Sequence, residues 1–360
     1  HSDNPVTDTV LEVALDLIVT EPRLGEIDRA DRTENVAVNL VGGILHLNSV
    51  GGASRDVIGI VNQQDQEVAD IVIALDNLVV ECVEQFIISQ TCSAQFHQQL
   101  MRGTLALGRE WKFQKDVSIA GCDSEKCEMV TPILTYTDME TLQELIRRLR
   151  KAGAKSDATR GCGVHIHVGA KGHTPQTMRN LANIMASHER LIADALKIDQ
   201  CRMNRYCRTV NPRFIEELNQ KKPTTMAQFA DIWYTANGAN YGRNQHYNDS
   251  RYHMLNLHAT FTKGTVEFRL FQFDAPSNGK QNGLHAGQLK SYIQLCLALS
   301  QMAKTVKTAS PKPQQNENPK YAMRTWLLRL GFIGDEFKTA REILTKRLTG
   351  DTAFRNGRAA

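Results

Sequence analysis

Apolar side chains recur every three or four residues in several parts of the chain, which is the period of one buried helix face. The clearest case begins at a capping box formed by Thr137 and Glu140, and we expect it to bury Met139, Leu142, Leu145, Ile146 and Leu149. The same period predicts a helix that starts at Thr174, a helix over residues 285–306 and a helical pair over residues 321–348.

Other segments alternate apolar and polar residues or carry short apolar runs, as strands do. We predict strands over residues 111–119, 127–134, 162–170, 251–262 and 265–271. The last two are expected to form a hairpin through the tight turn Lys263-Gly264. Strands and helices follow no regular strand–helix–strand order, so we predict an α+β fold with a mostly antiparallel sheet, flanking helices and a helical C-terminal tail.

The composition is that of an ordinary globular protein, with 41% hydrophobic residues, 23% charged residues and a formal net charge of +4. The net charge changes sign near residue 110, which this average does not show. Residues 1–110 contain 17 acidic and 6 basic residues and no Lys, Tyr or Trp, whereas residues 111–360 contain 22 acidic and 37 basic residues. Two interpretations stay open: residues 1–110 are an acidic domain that docks on the basic remainder, or they are not the native start of this protein.

Length and composition argue against some classes of protein. The 360 residues predict about two domains, or one large enzyme domain with additional segments. No run of 18 apolar residues is present, so no membrane span is predicted, and no secretory leader is recognised. The eight cysteines are scattered without a C-x-x-C pair, which favours reduced thiols and a cytoplasmic location. No platform of basic and aromatic residues stands out, so nucleic acid is not expected as a partner.

Two histidines share one face of the predicted strand 162–170. Strand side chains alternate, so His165 and His167 point away from the apolar residues between and beside them. The simplest interpretation is a pair of exposed histidines on a sheet. Flanking glycines, which let a ligand approach the backbone, favour a binding site instead. Zinc bound by Cys162 and both histidines is a further alternative, although Cys162 has the parity of the core residues.

Glu267 and Arg269 likewise share one face of the predicted strand 265–271, opposite its apolar residues. In solvent such a pair would contribute little to stability. Beside a His-x-His strand the pair indicates a binding site. Carboxylate and imidazole groups together suit a divalent cation, and a guanidinium group suits a phosphate or a carboxylate. We therefore predict that both strands lie in one sheet with their polar faces in one cleft.

Three further residues are candidates on weaker grounds. Asp116 and Glu128 each place a carboxylate on a predicted strand, which is a common feature of strand edges. Arg251 opens a segment, residues 251–258, whose polar groups are dense for a half-buried strand and indicate a functional face.

The order of these segments resembles that of the amidoligase family, a family of predicted ATP-dependent carboxylate–amine ligases with a glutamine-synthetase-like fold. Six motifs carry the resemblance over residues 111–303: D-x-S-I, E-M-V-T-P-I-L, G-C-G-V-H-I-H-V, R-Y-H-x-L-N-L-H, G-T-V-E-F-R-L-F and L-H-A-G-Q-L-K-x-Y-I-Q. The resemblance implies a catalytic domain over residues 111–305. Composition and apolar periodicity predict a linker rich in Pro, Lys, Gln and Asn over residues 306–320 and a helical tail over 321–360. Residues 1–110 form a separate acidic segment in this division.

The resemblance also implies a metal and nucleotide site. His165 and Glu267 would share a divalent metal, and Glu128 would serve a second one. His167 would contact the nucleotide phosphates. The implied cofactors are ATP and Mg²⁺, which usually takes carboxylate ligands and keeps water. A histidine ligand makes Mn²⁺ a suitable substitute.

For the reaction, the resemblance implies that Arg251 and Arg269 hold the transferring phosphoryl group or the substrate carboxylate, with Asp116 near the site. A carboxylate does not react with an amine at neutral pH because oxide is a poor leaving group, whereas an acyl phosphate made from ATP does react. That step accumulates negative charge, so it needs Mg²⁺ and Arg. The expected substrates are a small-molecule or peptide carboxylate and an amine, and an amidotransferase-type partner is a further expectation.

One feature of the family is missing. The family opens with a G-x-E-x-E strand whose two glutamates each complete a metal site, and the nearest match here is G-E-I-D at residues 25–28, at the wrong offset. We therefore expect residues 1–100 not to complete the site, to pack poorly on the rest of the protein and to leave an edge of the sheet open. Two other functions stay open: a metal-dependent hydrolase built on His165, His167 and Glu267, and a degenerate binding module without catalysis.

Overall fold

The computed structural model describes residues 10–18, 101–104, 110–114, 116–121, 126–151, 154–274, 283–313 and 317–353. The strands in this part of the chain are β1 (Leu11–Ile18), β2 (Met101–Thr104), β3 (Glu110–Gln114), β4 (Lys126–Val130), β5 (Val164–Gly169), β6 (Leu255–Asn256) and β7 (Thr265–Phe271). They form one sheet in the order β2-β3-β4-β1-β5-β7-β6, and every neighbouring pair is antiparallel.

Nine α-helices lie within the described residues. They are α1 (Met139–Lys151), α2 (Pro175–Leu196), α3 (Gln200–Arg205), α4 (Pro212–Lys221), α5 (Met226–Ala236), α6 (His258–Lys263), α7 (Ala286–Thr305), α8 (Pro319–Arg329) and α9 (Lys338–Thr345). None of them is long and apolar enough to cross a membrane.

The longer helices cover one face of the sheet. Apolar side chains of the central strands, such as Val13, Ile166 and Phe268, are fully buried in one core with residues of α1, α2 and α7. Helix α7 packs against α1, α2 and α9 and also contacts β5. The predicted combination of helices with an antiparallel sheet is therefore confirmed, whereas the more specific glutamine-synthetase-like fold stays a prediction.

The helices expected from apolar periodicity are present. Helix α1 buries all five of its predicted apolar residues, and α2, α7, α8 and α9 match the predicted segments within a few residues. The capping box lies two residues earlier than predicted. The Asp138 carboxylate accepts a hydrogen bond from the backbone N–H of Thr135 at 2.8 Å, and a 3₁₀ turn over Tyr136–Asp138 precedes α1.

The prediction of one long strand over residues 251–262 is wrong. Only β6 is extended there, and α6 follows it. The side-chain oxygen of Asn256 accepts a hydrogen bond from the backbone N–H of His258 at 2.9 Å, which favours the turn into the helix. Gly264 then ends α6 in the left-handed conformation at φ 70°. Strands β6 and β7 are neighbours, but a helix joins them in place of the expected tight turn.

Strand β1 lies in the middle of the sheet, between β4 and β5, although it comes from the segment expected to pack poorly. Its residues Leu11, Val13 and Leu15 are buried in the core. The expectation that residues 1–100 leave the sheet open is therefore wrong for β1. Charge composition averaged over 100 residues says little about one eight-residue strand. The G-E-I-D segment at residues 25–28 lies outside the described residues.

The C-terminal helices share the core of the sheet. Met323 and Trp326 of α8 and Leu344 of α9 are buried in the same cluster as the strands. Helix α9 packs against α2 and α7. The division into a catalytic domain, a linker over residues 306–320 and a tail stays a prediction.

Leu15 tests the position of β1. Its side chain is fully buried, so Leu15→Ala should lower the free energy of unfolding by about 2–5 kcal/mol. Leu328→Ala is the control, because Leu328 is exposed on α8, and it should cost less than about 1 kcal/mol. Urea unfolding followed by circular dichroism compares the two variants. Equal, small losses would show that β1 is not part of the core.

His173 predicts a pH dependence of stability. Its Nδ1 atom is 3.1 Å from Oγ1 of Thr177, and its Nε2 atom is 2.9 Å from Oγ of Ser300. Burial, together with the nearby Lys304 ammonium, lowers the pKa of His173 to about 4. A histidine in the unfolded chain has a pKa of about 6.5. Between these pH values His173 is protonated in the unfolded chain but neutral in the folded protein. The free energy of unfolding therefore decreases as the pH falls.

Between pH 7 and pH 5 this group alone should lower the free energy of unfolding by about 2 kcal/mol. His173→Gln keeps hydrogen-bonding groups but cannot take up the proton. The decline in stability from pH 7 to pH 5, measured by urea unfolding, should therefore be smaller in the variant by about that amount. Identical pH profiles for both proteins would contradict this assignment.

Candidate active site

Strands β5 and β7 are neighbours, and their polar side chains meet on the sheet face away from the apolar core. His167 lies opposite Glu267 in the register. The Nε2 atom of His167 is 3.6 Å from Oε2 of Glu267, and Nδ1 of His165 is 3.9 Å from Oε1. The convergence predicted from strand parity is therefore observed for these three residues.

Glu267 is the centre of this cluster. Its side chain is buried, yet Oε1 accepts a hydrogen bond from Nη1 of Arg269 at 2.5 Å and Oε2 accepts one from Nδ2 of Asn256 at 2.6 Å. Burial alone would raise the pKa of this carboxyl, but the Arg269 guanidinium, followed by His167, His165 and Arg251, outweighs burial and holds the pKa well below its usual value. Glu267 is therefore an ionised carboxylate inside the protein.

Both imidazoles are neutral at pH 7. Burial lowers the pKa of His165, and the Arg269 guanidinium lowers it further against the opposing effect of Glu267. Burial also lowers the pKa of His167. The Nδ1 atom of His167 is 2.9 Å from Oγ1 of Thr265, and when Nδ1 donates this hydrogen bond the lone pair on Nε2 faces the carboxylate. Two electron-pair donors that face each other in this way suit a shared cation.

Arg251 reaches the cluster from outside the sheet. It closes the 3₁₀ turn Asp249–Arg251, and its guanidinium lies 5.3 and 5.7 Å from the ring centroids of Tyr247 and Tyr252. The Arg269 guanidinium lies over the same Tyr252 ring at 5.8 Å. Burial lowers the pKa of Arg251, and so does the charge on Arg269, as expected of two close cations. The pair provides positive charge for an anionic ligand.

Glu12 belongs to this site, and the sequence analysis missed it. It lies on β1 opposite His167, on the side away from Glu267, and its negative charge acts to raise the pKa of His167. Alternation with the buried Leu11 and Val13 turns Glu12 to the polar face. The alternation is visible in L-E-V-A-L-D at residues 11–16, but the unusual composition around it concealed the signal.

Two predicted site residues lie farther from the cluster. Glu128 is on β4, opposite Asp16 of β1 and Gln114 of β3, and β1 separates it from β5. Because two strand spacings lie between them, β4 and β5 are about 10 Å apart. Asp116 lies in a turn after β3, not on a strand as predicted, and its carboxylate accepts a hydrogen bond from the backbone N–H of Ser118 at 2.7 Å. The roles of both residues stay predictions.

No group of three or more His, Cys, Asp or Glu side chains in the described part of the chain is arranged to hold a metal ion as it stands. In the structure each Glu267 oxygen accepts a hydrogen bond, one from Arg269 and one from Asn256. Cys162 is buried beside Ile119 in a separate small cluster. The alternative of a zinc site with Cys162 is therefore wrong.

The ion pair between Arg269 and Glu267 predicts a large loss of stability when one partner is removed. Arg269→Met leaves a buried carboxylate without its counter-charge and should lower the free energy of unfolding by about 3–5 kcal/mol. Arg213→Met is the matched control, because it removes an exposed pair with Glu217 that is worth less than about 1 kcal/mol. Urea unfolding at pH 7 measures both. A small, equal loss in the two variants would mean that this pair does not stabilise the buried carboxylate.

A comparison with models of known families identifies a relationship. The family described as "Putative amidoligase enzyme" matches residues 48–300, more than two thirds of the chain. The matched segment contains β2 to β7 and every predicted site residue from Asp116 to Arg269, but not β1 with Glu12. No curated protein matches the chain, and no solved structure matches it.

Proposed function

Because the chain belongs to the amidoligase family, we propose that it is an ATP-dependent ligase that joins a carboxylate to an amine through an acyl phosphate. The observation that carries this proposal is the buried, ionised Glu267 among two neutral imidazoles and two guanidinium groups. Such a cluster offers donors for a cation and for anionic phosphate at the same place.

The residues of the cluster fit a divalent metal by their chemistry. His165 and Glu267 would hold it, and their protonation states, neutral imidazole and ionised carboxylate, are those of metal ligands. Glu12 supplies a further carboxylate opposite His167. In this proposal it corresponds to one glutamate of the family's G-x-E-x-E strand. Mg²⁺ or Mn²⁺ would supply positive charge for phosphoryl transfer.

The charges around the cluster determine when a metal binds. The carboxylates Glu12 and Glu267 face the cations Arg251 and Arg269, and Arg202 and Lys263 also act on the two imidazoles, so a dication alone would add to the positive charge of a largely buried site. ATP brings the missing negative charge. Arg269 can then exchange Glu267 for a phosphate oxygen, which a planar guanidinium binds well. This exchange frees one oxygen of Glu267, and metal and nucleotide are therefore expected to bind together.

In the proposed reaction, a substrate carboxylate oxygen attacks the γ-phosphorus of ATP and ADP leaves. The amine then attacks the carbonyl carbon of the acyl phosphate, and inorganic phosphate and one proton are released. Arg251 and Arg269 hold the phosphoryl oxygens through both steps, where negative charge moves from one oxygen to another. No covalent bond to a protein nucleophile is needed.

The remaining expectations become part of this proposal. The substrates are a small-molecule or peptide carboxylate and an amine or ammonia, and the fold is glutamine-synthetase-like. Glu128, opposite Asp16 on the neighbouring strand, is the candidate for a second metal, with Asp116 near the site. A cytoplasmic location and an amidotransferase-type partner are also part of this proposal.

A hydrolase built on the same histidines and Glu267 is less well supported. A catalytic metal in a hydrolase is held by several protein ligands before substrate arrives. Here the described residues contain no such group of three or more ligands, and both oxygens of Glu267 accept hydrogen bonds from Arg269 and Asn256. A site that gains its cation together with an anionic substrate agrees better with phosphoryl transfer.

Glu267→Gln should lower ligation about 100-fold or more, because it keeps the volume of the side chain but removes the charge that balances the cation. The assay is amine-dependent phosphate release from ATP with Mg²⁺, on a panel of amino-acid carboxylates with ammonia. Glu140→Gln is the control, since Glu140 is exposed on α1, and it should keep activity within about twofold. Wild-type turnover in Glu267→Gln would refute this role, and no release by the wild-type protein with any pair would count against the ligase.

A further inference from the structure

Arg202, on the short helix α3, carries a buried guanidinium group that the proposed reaction does not use. Only 1% of the residue is exposed. Its Nη1 atom donates to the carbonyl oxygen of Gly161 at 2.9 Å, and its Nη2 atom donates to the carbonyl oxygens of Arg269 and Phe271 at 3.3 Å each. Its Nε atom has no hydrogen-bond partner among the described residues. This cation is therefore held by two backbone carbonyls of β7 and by one of the segment that precedes β5.

These carbonyls lie where β5 and β7 change register. Val164 is opposite Phe271, whereas Ile166 is opposite Phe268, so a step of two residues on β5 matches a step of three on β7. An extra residue of this kind is a β-bulge, which leaves peptide groups outside the ladder and redirects side chains. The bulge falls between Phe268 and Phe271, in the interval that contains Arg269.

The helix that carries Arg202 holds Arg269 through both backbone and side chain. The backbone N–H of Arg269 donates to the carbonyl of Met254 at 2.9 Å, and its carbonyl accepts from Arg202. The Nε atom of Arg269 donates to the carbonyl of Tyr206, which follows α3, at 3.4 Å. With the peptide group and Nε fixed in this way, Nη1 of Arg269 reaches Glu267.

Gly163 provides the space for the Arg202 guanidinium. A Cβ atom at residue 163 would lie 2.2–2.5 Å from three atoms of that group, far inside van der Waals contact. The glycine that stands two residues before His165 is therefore explained by the close approach of a buried cation, without any need for an unusual backbone conformation.

We propose that Arg202 is a positioning residue: it satisfies the carbonyls at the bulge of β7 and thereby holds Arg269 in the orientation that serves an anionic ligand. The inference rests on the proposed function for the identity of that ligand, a nucleotide phosphate. A guanidinium suits this role because its planar fork reaches carbonyls of two segments at once, whereas the ammonium of Lys is a compact group on a flexible stem.

The test compares Arg202→Lys with Arg205→Lys, the same change at an exposed position of the same helix. The probe is the Mg²⁺ complex of a non-hydrolysable ATP analogue, titrated by calorimetry into protein whose folding has been checked by circular dichroism. Arg202→Lys should weaken binding about tenfold or more, and Arg205→Lys should change it less than about twofold. In a protein that already carries Arg269→Lys, Arg202→Lys should weaken binding by less than about a further twofold, because the guanidinium that Arg202 positions is gone.

An equal loss from Arg202→Lys in both backgrounds would overturn the proposal, because Arg202 would then act without Arg269. An unchanged affinity would overturn it as well. If the wild-type protein does not bind the analogue, the proposed function fails. Hydrogen exchange then tests separately whether Arg202 holds the backbone of Arg269. The backbone amide of Arg269 should then exchange about tenfold faster in Arg202→Lys than in Arg205→Lys, and equal rates would overturn the inference. Should Arg202→Lys not fold, Gly163→Ala displaces the same guanidinium and replaces it in each measurement.

Discussion

An ionised carboxylate in the middle of a sheet requires donors on every side, because removing its charge from water costs several kcal/mol. Glu267 meets this requirement with two partners: Arg269, two residues further along the same strand, and Asn256, from the two-residue strand beside it. Burial lowers the pKa of His165, and the Arg269 guanidinium, which keeps Glu267 ionised, lowers it further because it disfavours an imidazolium. The protonation states of the whole polar face therefore depend on the environment of this carboxylate.

The same constraint explains why charges of both signs lie close together at the site. The carboxylates of Glu12 and Glu267 and the guanidinium groups of Arg251 and Arg269 lie on or beside the neighbouring strands β1, β5 and β7. In the function that we propose, this surface binds a lone cation or a lone anion weakly and exchanges its internal ion pairs for a metal and a phosphate that arrive together. This property agrees with membership of a ligase family and connects the buried Glu267–Arg269 pair to the chemistry that we propose.

The sequence predicted the part of the site that depends on local alternation. His165, His167, Glu267 and Arg269 were found because side-chain parity within a strand is a property of consecutive residues. The position of β1 was not found, because the choice of neighbouring strand depends on contacts between residues more than 100 positions apart, such as Leu15 and Met129.

Other errors have local causes. Residues 251–262 were predicted as a strand because their alternation is strand-like, yet the hydrogen bond from His258 to Asn256 and the left-handed Gly264 bound a helix inside the segment. Arg202 was missed because one arginine in a six-residue helix forms no pattern in the sequence. Its importance arises from the bulge of β7, which only the pairing of two strands reveals.

The central claim is that the Glu267 cluster takes up a divalent metal only together with a nucleotide phosphate. The most direct measurement is electron paramagnetic resonance of Mn²⁺ mixed with the wild-type protein at equal concentrations, with and without a non-hydrolysable ATP analogue, and with the analogue and Mn²⁺ alone as reference. The account predicts that a spectrum of protein-bound Mn²⁺ forms only when the analogue is present. The same spectrum without the analogue would contradict the account and would indicate a preformed metal site of the kind that a hydrolase requires.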